Sequence, residues 1–186
     1  MTGIHSGARW KSDYAPLMPR DDQREREDLL EALDAHRNLL RRALRELTDE
    51  QARQRTTVSE LCLGGIVKHV TQVEQNWAQF IVKGPEVMAF NEHTMEGHAA
   101  SFQMLEGDSL AELLRDYEAV AARTDELVRS VPSLDADQPL PEAPWFKPGA
   151  RRSARRVLVH IIAETAQHAG HADIIRESLD GAKTMG

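Results

Sequence analysis

The residues His160 to Glu177 read HIIAETAQHAGHADIIRE and hold most of the chain's concentrated ionisable chemistry. At about 100° per residue in a helix, Glu164, His168 and His171 project within roughly 60° of one another. Val157, Ile161 and Ile175 fall in the same sector, and Arg155, Ala166, Asp173, Glu177 and Asp180 take the other side. A face that is apolar at both ends and carries Glu, His and His in its middle is an inward face with a polar centre. Ionisable groups placed inward need partners. A divalent metal ion is the partner best suited to a carboxylate and two imidazoles. Residues three or four apart are neighbours on a helix, so Glu164 with His168, or His168 with His171, can converge. Glu164 and His171 are separated by about 10.5 Å of rise, too far to share one ion. The helix therefore supplies two ligands, and a third must come from elsewhere.

Four amphipathic segments are available to position that site. Leu29, Leu30, Leu33, Leu40, Leu44 and Leu47 recur at three and four from Asp21 onward, which predicts a helix of about six turns. Thr48 and Gln51 form a capping-box pattern for a short extra turn. Leu63, Ile66, Val67, Val70, Val73, Trp77, Phe80 and Ile81 predict a second long helix, closed by Gly84 and Pro85, with its start blurred by Gly64 and Gly65. His69 lies on it beside the apolar stripe and is the natural third ligand. Residues 85–107 form a long connection able to roof a pocket, in which His93 and His98 read as solvated. Ser109 and Glu112 cap a third helix carrying Leu110, Leu113, Leu114, Tyr117, Val120, Thr124, Leu127 and Val128, and Pro132 ends it. The five prolines between 132 and 149 argue against regular structure there, with Trp145 and Phe146 as expected anchors. The last helix opens near Ser153 beside Arg151, Arg152, Arg155 and Arg156. These cations oppose the helix dipole and read either as a solvated cluster paired with surface acids or as an anion site.

The fold expected is therefore all-α, a four-helix bundle with long second and third connections. Residues 1–20 are an irregular arm that Trp10 and Tyr14 could anchor, and 21–186 are a single domain. If the second and fourth helices face each other across the core, His69 meets Glu164 and His168. Three protein ligands with an open position describe a catalytic zinc-type site. A di-iron centre needs Glu-x-x-His pairs, and the residue three beyond Glu164 is Gln167.

Composition narrows the function classes. A net charge of −7 and a pI near 5.6 oppose nucleic-acid binding. The single cysteine, Cys62, excludes an internal disulfide and any cysteine-rich zinc module, and is expected in the core or at a helix start. No stretch resembles a signal peptide or a membrane span, so a cytoplasmic location is expected.

GGIVKHVTQVEQNW on the second helix and HIIAETAQHAGHADIIRE on the last resemble the DinB/YfiT-like superfamily, in particular its actinobacterial branch of mycothiol-dependent enzymes. The likeness runs from about Asp28 to the C-terminus. It implies a four-helix bundle holding zinc, or else nickel or iron, through His69, Glu164 and His168. Many relatives have His where Glu164 stands, but the mycothiol-dependent maleylpyruvate isomerases resemble this chain in pairing Glu with a His four residues on. Gly170 matches a glycine of the same motif. His171 is then a ligand replacing Glu164, a group behind a ligand, or a proton carrier in catalysis, and His160 is a group behind a ligand. The implied activity is a thiol S-transferase or isomerase that uses mycothiol or a similar small thiol on small electrophiles. A metal-binding stress protein without catalysis is the alternative, and a polar core feature or homodimer seam is a third reading.

Overall fold

The computed structural model describes residues 22–88, 97 and 100–184. The expected arm with Trp10 and Tyr14, together with His93 and His98, lies outside the described residues. The chain runs α1 (Asp22–Ala43), α2 (Asp49–Arg53), α3 (Leu63–Lys83), a 3-10 turn (Pro85–Met88), α4 (Leu110–Ser130), β1 (Asp137–Pro139), β2 (Arg151–Ser153) and α5 (Ala154–Asp180). The four long helices form the expected all-α bundle.

Local signals explain most boundaries. The Thr48 capping box is formed, with Oγ1 accepting from Gln51 N and Gln51 Oε1 accepting from Thr48 N. Cys62 starts α3, its Sγ accepting from Gly65 N at 3.4 Å. Gly84 ends α3 at φ 77°, a conformation that disfavours side chains. Ser109 occupies the N-cap of α4 but makes no side-chain cap bond. Asp49 does that work instead, its Oδ1 accepting from Leu110 N at 2.8 Å. The proline-rich segment also departs from expectation, since β1 pairs antiparallel with β2 between Asp137–Ser153 and Pro139–Arg151. A two-stranded ribbon consists only of edges, where a proline costs no ladder bond. Trp145 is 62% exposed and meets Phe146 edge to face at 6.0 Å, and Phe146 packs against the core.

Contacts set the helix directions. Arg155 near the start of α5 pairs with Glu25 near the start of α1, and Arg176 near its end caps α1 through Ala43 O and Arg45 O at 3.0 and 2.7 Å. These helices run parallel. Arg26 caps the end of α4 by donating to Val128 O and Val131 O, so α1 and α4 run antiparallel. His69 meets His168 and Trp77 meets His160, which makes α3 and α5 antiparallel neighbours. It follows that α3 and α4 are parallel, and the chain between them must return along the bundle. That is the physical reason for the long second connection.

Two apolar clusters fill the bundle. One gathers Leu40, Leu63, Ile66, Tyr117, Ala172 and Ile175, and the other Leu33, Trp77, Phe80, Val128, Leu158 and Ile161. Between them lies a polar band. In it, Arg37 holds the fully buried Glu74 and reaches Asp125 at 2.8 Å, satisfying two carboxylates with one guanidinium. His69 and His168 belong to the same band.

Candidate metal centre

One imidazole from α3 and an acid and imidazole from α5 meet at the seam of these two helices. One ligand atom from each of His69, Glu164 and His168 lies within 4.8 Å of the other two. His69 and His168 are buried, 3% and 6% exposed, while Glu164 is half-buried and forms the open edge. His168 Nε2 stands 3.8 Å from Glu164 Oε2, and the two histidine rings meet edge to face at 4.9 Å.

Each histidine is held from behind. His69 Nδ1 is 3.0 Å from Ser101 Oγ, which leaves Nε2 as the nitrogen able to ligate. Phe102 stacks on the same ring at 3.8 Å, with the planes 20° apart. Both groups come from the connection between α3 and α4. That connection reaches His69 because the first turn of α3 has no side chains in its way. A Cβ on Gly65 would stand 1.9 Å from Phe102 O, and one on Gly64 would stand 2.2 Å from Met104 Sδ. His168 Nδ1 faces His171 Nδ1 at 3.4 Å, turning Nε2 toward the triad.

The electrostatics favour neutral imidazoles. Burial, then the neighbouring His171, pushes the His168 pKa down to about 4. Burial, followed by Arg152 and Arg156, pushes His160 down to about 4 as well. Nitrogen lone pairs are therefore available near neutral pH, as metal ligation requires. The donor set fits a divalent cation: two buried imidazoles, a carboxylate at the open edge, and spacing that small side-chain rotations would close.

The three expected ligands are thus brought together, and His171 and His160 stand just outside them. His160 Nε2 lies 3.8 Å from Glu164 Oε1, and its ring touches Trp77 edge to face at 4.8 Å. Sequence reasoning did not single out Ser101, Phe102 or the role of Trp77. The paired glycines were a signal for the first two, since adjacent glycines in a helix mark a close approach by another segment. Of the arginines, Arg151 pairs with Asp137 at 2.9 Å and Arg155 with Glu25 and Asp135. Arg152 instead lies over the Trp77 ring at 4.6 Å. A cleft of about 480 Å³ between α3 and α4, with Lys68, Thr71 and Asp116 in its walls, includes none of the triad.

A family model described as mycothiol-S-transferase matches residues 28–181, which include all three triad residues. The chain belongs to this family. Among solved structures, a conserved protein from Enterococcus faecalis is similar at 18% identity with a TM-score of 0.57, covering 84% of this chain and 97% of that one. A likeness at that identity speaks for the fold. No curated protein matches the chain. As a mycothiol S-transferase family member, the chain places its candidate ligands on α3 and α5, where the paired motifs of the DinB/YfiT-like superfamily lead one to expect them. No described helix is long and apolar enough to cross a membrane.

Proposed function

We propose that the protein is a metal-dependent thiol S-transferase that uses mycothiol or a similar small thiol on small electrophiles. The observation that carries this reading is the convergence of His69 with Glu164 and His168 in a chain of the mycothiol S-transferase family. Zinc suits two imidazoles and a carboxylate, and nickel or iron are the other candidates. Bound there, a divalent cation would lower the pKa of an incoming thiol, so that no protein cysteine is needed as nucleophile.

The chain's own residues orient, shield and leave an approach. Ser101 and Phe102 hold the His69 ring, and His171 holds that of His168. If His168 ligates through Nε2, its Nδ1 carries the hydrogen and donates to His171 Nδ1. That lone pair of His171 is then occupied, so we assign His171 the positioning of His168. The proton transfer expected from the sequence would require its ring to turn toward the sulfur. Glu164, at the half-buried edge, marks the side from which thiol and electrophile approach.

The non-catalytic reading calls for a closed site with a fourth protein ligand. Among the described residues, the group that could hold an ion consists of these three, which favours the enzyme. The test is metal analysis of the purified protein, with His69→Ala and His168→Ala beside it, followed by thiol-consumption assays. Wild type should carry about one divalent ion per chain and consume mycothiol with an electrophile, while both variants lose metal and turnover. Metal retained in both variants would remove the site. Metal lost in the variants without turnover by wild type would leave a binding protein.

A further inference from the structure

Four arginines crowd the start of α5, and three observations set Arg152 apart. Its guanidinium carbon sits over two aromatic rings, 4.6 Å from Trp77 and 5.4 Å from Phe146. Its Nη1 is buried and has no hydrogen-bond partner. Among the described residues no carboxylate pairs with it, although Arg151 has one and Arg155 has two. A half-buried guanidinium fixed in place by aromatic faces, with no carboxylate of its own, offers its exposed N–H groups to an acceptor from outside.

Its position relates it to the triad. Because α3 and α5 are antiparallel, His69 and His168 form one layer of the seam and Trp77 and His160 another. Trp77 lies eight residues from His69, roughly 12 Å along the helix. His160 links the two layers, with its Nε2 3.8 Å from Glu164 Oε1 and its ring against Trp77. The seam therefore runs from the candidate metal ligands to an unpaired cation across the span of a small organic molecule. The chain as a whole carries a net charge of −7, so the positive charge of Arg152 and its neighbour Arg156 is a local feature.

We propose that Arg152 is the carboxylate-binding residue of this site, taking the anionic end of a substrate whose reacting end lies at His69, Glu164 and His168. The proposal rests on the reading of the triad as the reaction site. A carboxylate matches the fork of the guanidinium and can take two parallel hydrogen bonds, which a lysine ammonium cannot reproduce. The carboxylate belongs to the electrophile, or to the thiol where that is a carboxylated thiol rather than mycothiol, whose cysteine carboxyl is an amide; the chemistry of recognition is the same.

The test is calorimetric titration of the purified, metal-loaded protein with succinate, and with neutral succinamide as control. Wild type should bind succinate saturably and succinamide not at all. Arg152→Gln should weaken succinate at least tenfold, and Arg152→Lys should fall between the two. The lysine variant keeps the charge, so it preserves the comparison if the glutamine variant melts early. Equal binding by wild type and both variants would mean that the metal alone holds the anion and would overturn the proposal, as would no binding by wild type. This readout needs no turnover, so a failure of the transferase reading is seen separately, as thiol left unconsumed beside intact succinate binding. Where thiol is consumed, the KM that rises in Arg152→Gln identifies the substrate carrying the carboxylate. No change in either KM would overturn the assignment.

Discussion

An imidazole ligates only through a nitrogen that is both unprotonated and aimed. His168 is kept neutral by burial, and His69 is aimed by Ser101. Ser101→Ala should therefore weaken divalent-metal affinity about 10- to 100-fold, measured by competition with a chromogenic chelator, while leaving the melting curve of the metal-free protein nearly unchanged. The depressed pKa values of His160 and His168 also set a pH dependence. Both are about 4 in the folded chain against 6.5 for an exposed histidine, so between those values the unfolded chain binds more protons. Stability of the metal-free protein should thus be full above pH 6.5, fall as the pH is lowered toward 4, and level off below. Each group contributes on the order of 3 kcal/mol at most, measured by urea unfolding across that range. The candidate ligands could be read from the chain in part, because helical spacing puts Glu164, His168 and His171 on one inward face and the family resemblance selects Glu164 and His168. Ser101 could not, because its role comes from where a long connection happens to run.

At the level of elements, that connection is dictated by helix direction. Parallel α3 and α4 force the chain to travel back along the bundle, and the glycines at the start of α3 let it lie against the helix. The two glycines should differ in their tolerance. A methyl group at Gly65 meets the backbone of Phe102, whereas one at Gly64 meets the end of the flexible Met104 side chain. Gly65→Ala should reduce metal affinity at least tenfold by displacing Ser101 and Phe102, with helical content by circular dichroism unchanged, and Gly64→Ala should be milder. The existence of the four long helices followed from their three-and-four periodicity. The cap of α4 did not, because the group that satisfies it, Asp49, is 61 residues away along the chain. The short ribbon between α4 and α5 escaped notice for a related reason: prolines forbid a central strand but not a pair of edges.

The molecule as a whole is a bundle held together by buried arginines, one in its polar band and two at helix ends. Arg37, Arg26 and Arg176 satisfy carboxylates and helix ends within the chain. The triad gathers three donors that one cation would join, so adding a cation should stabilise the fold. At a hundredfold excess over its dissociation constant, zinc should raise the unfolding free energy by about 2.7 kcal/mol, seen as an increase in Tm that is absent in His69→Ala. One small feature bears on how such a protein endures its own chemistry. Cys62, the only cysteine in the chain, is 4% exposed and has its sulfur engaged at the start of α3. Under the proposed function, in which the thiol is borrowed, the chain thus offers small electrophiles no cysteine sulfur of its own at the surface. It is protected from self-inactivation, and in a colorimetric sulfhydryl assay of the native protein every group that disappears belongs to the added reagent.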